Sequence, residues 1–217
     1  TSAYSSFVNG GKLISPIIID RIQDSEGNTI INNENRKCSN CEKISFTGKD
    51  YPVIEDNYEQ IMSEQTAYQI TSFLEGVIKR GTGKKLKELR LNLAGKTGTT
   101  NENTDAWFVG FTSDLVIGVY VGMDNPTPLG KFETGSKAAL PIFKEFVEKA
   151  IKKSDARPFK VPKNMTLMVI DPLTGEKAKF NSKNTIIEAY KSSNVLNGKV
   201  LYSDNNRLDT NNILEFY

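Results

Sequence analysis

LAGKTGTT (93–100), WFVGFT (107–112) and LVIGVYVGM (115–123) are three consecutive runs rich in Val, Ile, Thr and aromatic residues. Runs of that length and composition, broken by polar or small residues, are strand signals. Ser113-Asp114 leaves room only for a short turn, so the second and third runs should pair antiparallel. Both are apolar enough to be largely buried. Just downstream, Pro141 suits the first turn of a helix, where its missing N–H costs nothing. Ile142, Phe143, Phe146, Val147 and Ala150 give that helix an apolar stripe running to about Ile151. A helix following a sheet predicts an α+β layer structure, with the helix lying across the strands.

Upstream, a clearer helix is predicted over about 63–79. Ser63 is its N-cap, and Ala67, Ile70, Phe73, Leu74, Val77 and Ile78 fall on one face. Gly81-Thr82-Gly83 ends it. The basic run Lys84-Lys85-Leu86-Lys87-Glu88-Leu89-Arg90 reads as a solvated face. At the start, Ala3-Tyr4-Ser5-Ser6-Phe7-Val8 followed by Asn9-Gly10-Gly11 reads as a helix end. Ile17 to Ile22 and Thr29 to Ile31 flank the turn residues Asp24 to Asn28, a hairpin signal. Residues 32–55 carry no period and read as a surface insertion. Beyond an extended linker at Arg157 to Pro162, Leu167 to Ile170, Asp171 to Gly175 and Glu176 to Ala178 form a small strand-turn-strand unit. The rest is polar and rich in Asn.

The chain has 217 residues, 38% hydrophobic and 25% charged, with a net charge of +2. That length suits one domain with an extension. The charge balance argues against a nucleic-acid partner, which normally meets a concentrated basic surface. His is absent, which excludes a Ser-His-Asp or Cys-His hydrolase and any zinc site needing imidazole. Cys38 and Cys41 form a CxxC in a polar stretch with no apolar strand before it. Redox motif, half a zinc site and tight disulfide are the readings of such a pair. The setting favours a locally structural or incidental one. The longest mostly apolar stretch, Leu115 to Met123, is far too short to cross a bilayer. Thr1 in place of Met fits a fragment or a processed chain, so any anchor is expected outside these residues.

Lys96-Thr97-Gly98-Thr99-Thr100 carries the chemistry. Alone, a K-T-G tripeptide is a weak signal, an ordinary strand end being the bland reading. It is also the third element of serine acyl-transferases that use S-x-x-K and S-x-N. Lys96 would place a cation beside a nucleophile's proton relay and the substrate's terminal carboxylate. Thr97 and Thr99 lie on one side of a strand and would bind that carboxylate. The N–H of Thr99, on an edge strand, would face a developing oxyanion. Gly98 lets substrate or a neighbouring helix come close.

The chain resembles the C-terminal part of the transpeptidase domain of class A penicillin-binding proteins, most closely the 1A type. The resemblance rests on ordered blocks over about 160 residues: Ser2-Ala3-Tyr4 with Phe7 to Gly11, Gly81-Thr82-Gly83, Ala94 to Asn101, Asp105 to Gly110, Val119 to Asp124 and Gly135 to Phe143. Tyr120 and Phe143 stand where the family usually has Trp. Even the CxxC is similar to one in the insertion of some members. It implies a partial penicillin-binding protein/β-lactamase-like fold, an antiparallel sheet with packing helices. Residues 1–155 would be the end of the transpeptidase domain and 156–217 a C-terminal extension. It further implies a parent anchored at the bacterial inner membrane and facing the periplasm, with an N-terminal glycosyltransferase. That parent's transpeptidase would crosslink peptidoglycan stem peptides by serine acyl transfer and be acylated by β-lactams. No cofactor is implied, and the partner within the protein would be the N-terminal remainder of the same polypeptide.

The nucleophile is missing. No Ser here is followed three places later by Lys. S-x-N occurs at Ser182-Lys183-Asn184, Ser192-Ser193-Asn194 and Ser203-Asp204-Asn205, all after the K-T-G and so on the wrong side in family order. The chain thus reads as one wall of a site, inactive by itself. The alternative is a non-catalytic wall-binding or assembly module from a split or decayed gene. Trp107 and Phe108 are assigned to the core over a substrate platform, Tyr120 and Phe143 to packing, Asp105 to capping or pairing a loop over acting as an acid, and Thr82 to its turn over lining the cleft. A sheet lacking partner strands exposes an edge and an apolar face, so marginal stability or self-association is expected.

Overall fold

The computed structural model describes residues 1–33, 36–41, 45, 48, 51–152, 157–182 and 184–192. Along the chain run α1 (Ser2–Val8), β1 (Arg21–Gln23), β2 (Thr29–Asn32), β3 (Cys38–Ser39), β4 (Val53–Ile54) and α2 (Glu64–Arg80). A 3-10 turn at Lys84–Leu89 follows, then β5 (Ala94–Thr99), β6 (Ala106–Phe111), β7 (Val116–Val121), α3 (Ala139–Ala150), β8 (Met165–Ile170) and β9 (Ile186–Lys191). The three quoted runs form an antiparallel meander in the order β5-β6-β7. This is the α+β arrangement expected, with β5 an edge strand.

The register puts Thr97, Phe108 and Val119 side by side, and one residue along, Gly98, Trp107 and Tyr120. Strand alternation therefore sends the first set to one face and the second to the other. On the first face Phe108 is fully buried against Phe143 of α3, ring centroids 4.7 Å apart and tilted 63°. Burying one such ring contributes about 2–3 kcal/mol, and the edge-to-face pair about 1 more. On the second face Phe111 packs with Tyr68, Ala94 and Phe159. β7 is less buried than its composition predicts. Its residues are half-buried or exposed, because among the described residues no strand pairs with its outer edge.

Both long helices bury a face rotated from the apolar stripe. In α2 the buried positions are Ala67, Tyr68, Thr71, Glu75, Gly76 and Ile78, while Phe73 is 56% exposed. Polar residues occupy the packed side because they have local partners. The Thr71 hydroxyl lies 3.2 and 3.0 Å from the carbonyls of Phe7 and Ala67, which share its single proton. Hydrophobicity alone cannot see such a face. In α3 the stripe Ala139, Leu140, Phe143 and Val147 faces the sheet, leaving Ile142 and Phe146 about half exposed. Pro141 lies in the first turn, as expected. Ser63 caps α2 by accepting from the Thr66 N–H at 3.2 Å, worth about 1 kcal/mol. The basic run is only half solvated: its lysines are exposed, but Leu86 and Leu89 enter the core with Phe108.

α1 ends at the paired glycines, and β1 and β2 form the predicted hairpin, held at its turn by Asp24, whose Oδ1 accepts from the N–H groups of Glu26 and Asn28. Cys38 and Cys41 are joined in a disulfide next to the short β3–β4 pairing, the tight disulfide among the readings of the motif. The linker is partly pinned, since Phe159 is buried against Phe111 at 5.6 Å. The strand-turn-strand unit differs from expectation. The turn at Asp171 to Gly175 is present, closed by Gly175 N–H to Asp171 O at 2.8 Å. However, β8 pairs with β9, while the predicted return strand makes a single bridge, Ile170 to Lys177. β9 sits in the stretch read as polar because Ile186, Ile187 and Ala189 are scattered among charged neighbours. It is pinned to α2, where Gln69 Nε2 donates to Ala189 O at 3.0 Å and Lys191 Nζ to Thr66 Oγ1 at 2.9 Å. Among the described residues no helix is long and apolar enough to cross a membrane.

Candidate active site

β5 runs from a sealed start to an open end: Ala94 and Gly95 are buried, Lys96 and Thr99 are exposed, and Thr97 and Gly98 lie between. Lys96 therefore projects to solvent rather than into the core, and its Nζ donates to the Thr97 carbonyl at 2.7 Å. The ammonium is held against the strand's own backbone, where an anion arriving along the edge would meet it. Thr97 Oγ1 lies 2.8 Å from Thr82 Oγ1. Thr99 Oγ1 accepts from the Gly135 N–H at 3.0 Å.

The loop before α3 packs on the backbone of β5 and β6. A Cβ on Gly135 would collide with the Trp107 carbonyl and lie 2.5 Å from Gly98 O and 3.2 Å from Gly98 N. The chain at Gly135 thus presses on the backbone of β5 and β6. A Cβ on Gly98 itself would lie 3.1 Å from Trp107 Cβ across the strand.

The face of the sheet shared by Lys96 and Gly98 carries an aromatic pair. Trp107 and Tyr120 stack with centroids 4.6 Å apart, and they are 42% and 50% exposed. Phe108 and Phe143 are core as expected, but Trp107 and Tyr120 are a surface pair. The Tyr120 hydroxyl donates to Asp105 Oδ1 at 2.8 Å, and this bond to a carboxylate holds the phenol above its ordinary pKa. The other oxygen of Asp105, Oδ2, lies 3.5 Å from Thr104 Oγ1, and its backbone N–H donates to Thr100 Oγ1 at 2.8 Å.

Lys96, Thr97, Gly98 and Thr99 are thus brought together at one strand end, and Thr82 joins them from the turn after α2. The sequence favours a turn role for Thr82 over lining the cleft, and a core place for Trp107 over a substrate platform. Alternation from Lys96 and Gly98 through the register would have placed Trp107 on the open face. Ser182 accepts from the Lys179 N–H at 3.1 Å and Ser192 Oγ lies 3.1 Å from Thr166 Oγ1, both in the C-terminal hairpin unit. Lys183, Ser193, Asn194 and Ser203 to Asn205 lie outside the described residues. Chemically, the edge offers one cation and three hydroxyls, groups suited to an anion.

The penicillin binding protein transpeptidase domain family model matches residues 1–148. Penicillin-binding protein 1A of Rickettsia felis is 42% identical over 198 residues, 90% of this chain and 25% of that protein. Penicillin-binding protein 1A of Pseudomonas aeruginosa is 33% identical over 220 residues, 88% of this chain and 27% of that protein. Among solved structures, penicillin-binding protein 1A from Haemophilus influenzae aligns with a TM-score of 0.64 at 26% identity, covering 88% of this chain and 31% of that one. The chain therefore spans about a quarter of the length of these curated relatives.

Proposed function

Because the chain belongs to the penicillin-binding protein transpeptidase domain family, we propose that β5 is one wall of the crosslinking site of a longer polypeptide. The exposed edge bearing Lys96, with the Thr97 and Thr99 hydroxyls beside it, is the observation that carries this reading. Peptidoglycan stem peptides ending in D-Ala-D-Ala are the substrate. A serine encoded upstream attacks the penultimate carbonyl, the C–N bond breaks, D-Ala leaves with the proton passed to its nitrogen, and the acyl group moves to an amine on a second stem. Thr97 and Thr99 hold the terminal carboxylate. Lys96 stabilises that charge and the proton relay, and the Thr99 N–H faces the oxyanion. β-Lactams take the same place and acylate the same serine. Residues 1–155 belong to that domain, and 156–217 form an extension. The parent also carries a glycosyltransferase and works at the periplasmic face of the inner membrane, its anchor lying outside these residues.

The test is acylation by a fluorescent penicillin. In the longer polypeptide, Lys96→Ala should slow acylation on the order of a hundredfold. An unchanged rate would remove Lys96 from the site. The 217-residue chain alone should give no covalent adduct. An adduct at any of its serines would refute the missing-nucleophile reading.

A further inference from the structure

We infer that Thr82 is a positioning residue for the same site, orienting the Thr97 hydroxyl toward an anionic ligand; this rests on the reading of β5 given above. Two hydroxyls 2.8 Å apart share one hydrogen bond, with either oxygen as donor. Each hydroxyl has one O–H to give and two lone pairs to receive. The pair therefore keeps one O–H for a third group. A carboxylate accepts and never donates, so its arrival selects one polarity: Thr82 donates to Thr97, and Thr97 donates to the ligand. Donation into Thr97 also polarises its O–H and strengthens the outgoing bond. A cation or an amide N–H needs only a lone pair, which Thr97 offers in either order, so such a ligand selects neither polarity and gains nothing from Thr82. The arrangement thus favours a ligand with an ionised carboxylate.

The local backbone holds Thr82 at this point. α2 ends by donating the N–H groups of both Gly81 and Gly83 to the Val77 carbonyl, each at 3.0 Å. A Cβ on Gly81 would lie 2.9 Å from Val77 Cα, and one on Gly83 would lie 2.8 Å from Ile78 Cδ1. Side chains on either side of Thr82 would push the turn off the helix end. Ile78 is itself buried in the core with Phe108 and Phe143, so the turn hangs from a packed helix. Thr82 is exposed, and its hydroxyl supplies no helix cap. Its bond to Thr97 joins the end of α2 to β5.

The experiment uses the longer polypeptide and measures second-order acylation by a penicillin and by the methyl ester of the same penicillin. Thr82→Val should lower the rate with the free acid about tenfold and leave the ester within about twofold. Thr82→Ser should restore the free-acid rate. Thr82→Val added to Thr97→Val should cost nothing further, since Thr82 acts through Thr97. Equal losses with acid and ester, full additivity with Thr97→Val, or a wild-type rate in Thr82→Val would each overturn the inference while Thr97→Val remains slow. If Thr97→Val itself acylates at the wild-type rate, the reading of β5 fails and this inference goes with it. Because Ser keeps the hydroxyl and loses only a methyl group, failure of Thr82→Ser to rescue would also count against it.

Discussion

One face of the β5–β6–β7 meander is closed and the other is half open, although the same three strands build both. On the closed face Phe108 meets Phe143, with Leu140 and Val147 of α3 around them, all sealed from solvent. On the other face the sheet divides along its length. Phe111 and Ala94 are buried at one end with Phe159 and Tyr68. Lys96, Trp107 and Tyr120 stand exposed toward the other. The composition of the strands does not distinguish the faces, since large aromatics lie on both. What separates them is coverage: α3 lies over one, while α1 and the Phe159 segment reach only part of the other. The lesson is that an aromatic beside a charged strand position is a surface candidate even in an apolar run. Lys96 lies where that coverage stops, while Thr97 and Thr99 alternate onto the other face at the same strand end.

The most damaging change should be on the closed face. Phe108→Ala removes a fully buried ring and leaves Phe143 unpartnered, so denaturant unfolding should lose about 3–5 kcal/mol. Trp107→Ala, one position along the same strand, should cost about 1 kcal/mol, because a half-exposed ring surrenders much less buried area. Equal losses for the two would dissolve the distinction between the faces. The smallest effect concerns α2, whose Tyr68 and Ile78 enter the two separate cores. Between them Glu75 is buried, and burial raises its carboxyl above the ordinary 4.5, against the pull of Lys79 and Arg80. The folded state then holds this proton more tightly than the unfolded chain. Its contribution to stability is complete below pH 4.5 and is lost as pH rises through the folded value. Glu75→Gln should flatten that slope and stabilise the chain near neutral pH by under about 1 kcal/mol. A pH profile unchanged by the substitution would show that Glu75 is ionised at no cost.

Much of the architecture was readable in advance. The helix from Glu64, its Ser63 cap, the hairpin at Asp24 to Asn28 and the three-strand meander rest on local rules: spacing, turn length and capping chemistry. Those rules act between near neighbours, so a single stretch contains them. The β9 strand was missed because its pairing with β8 spans an intervening turn and its alternation is weak. The rotated faces of α2 and α3 were missed because a helix buries whatever its neighbours touch, including Thr71 and Glu75.

The same division holds at the candidate site. Lys96, Thr97, Gly98 and Thr99 are adjacent along the chain, so their clustering at a strand end follows from the order of residues and the pleat of a strand. The meeting of Thr82 with Thr97, and of Gly135 with Thr99, joins positions 15 and 36 residues apart. No local preference encodes such a contact. It exists because α2 and the loop before α3 are packed against β5, and packing is a property of the assembled core.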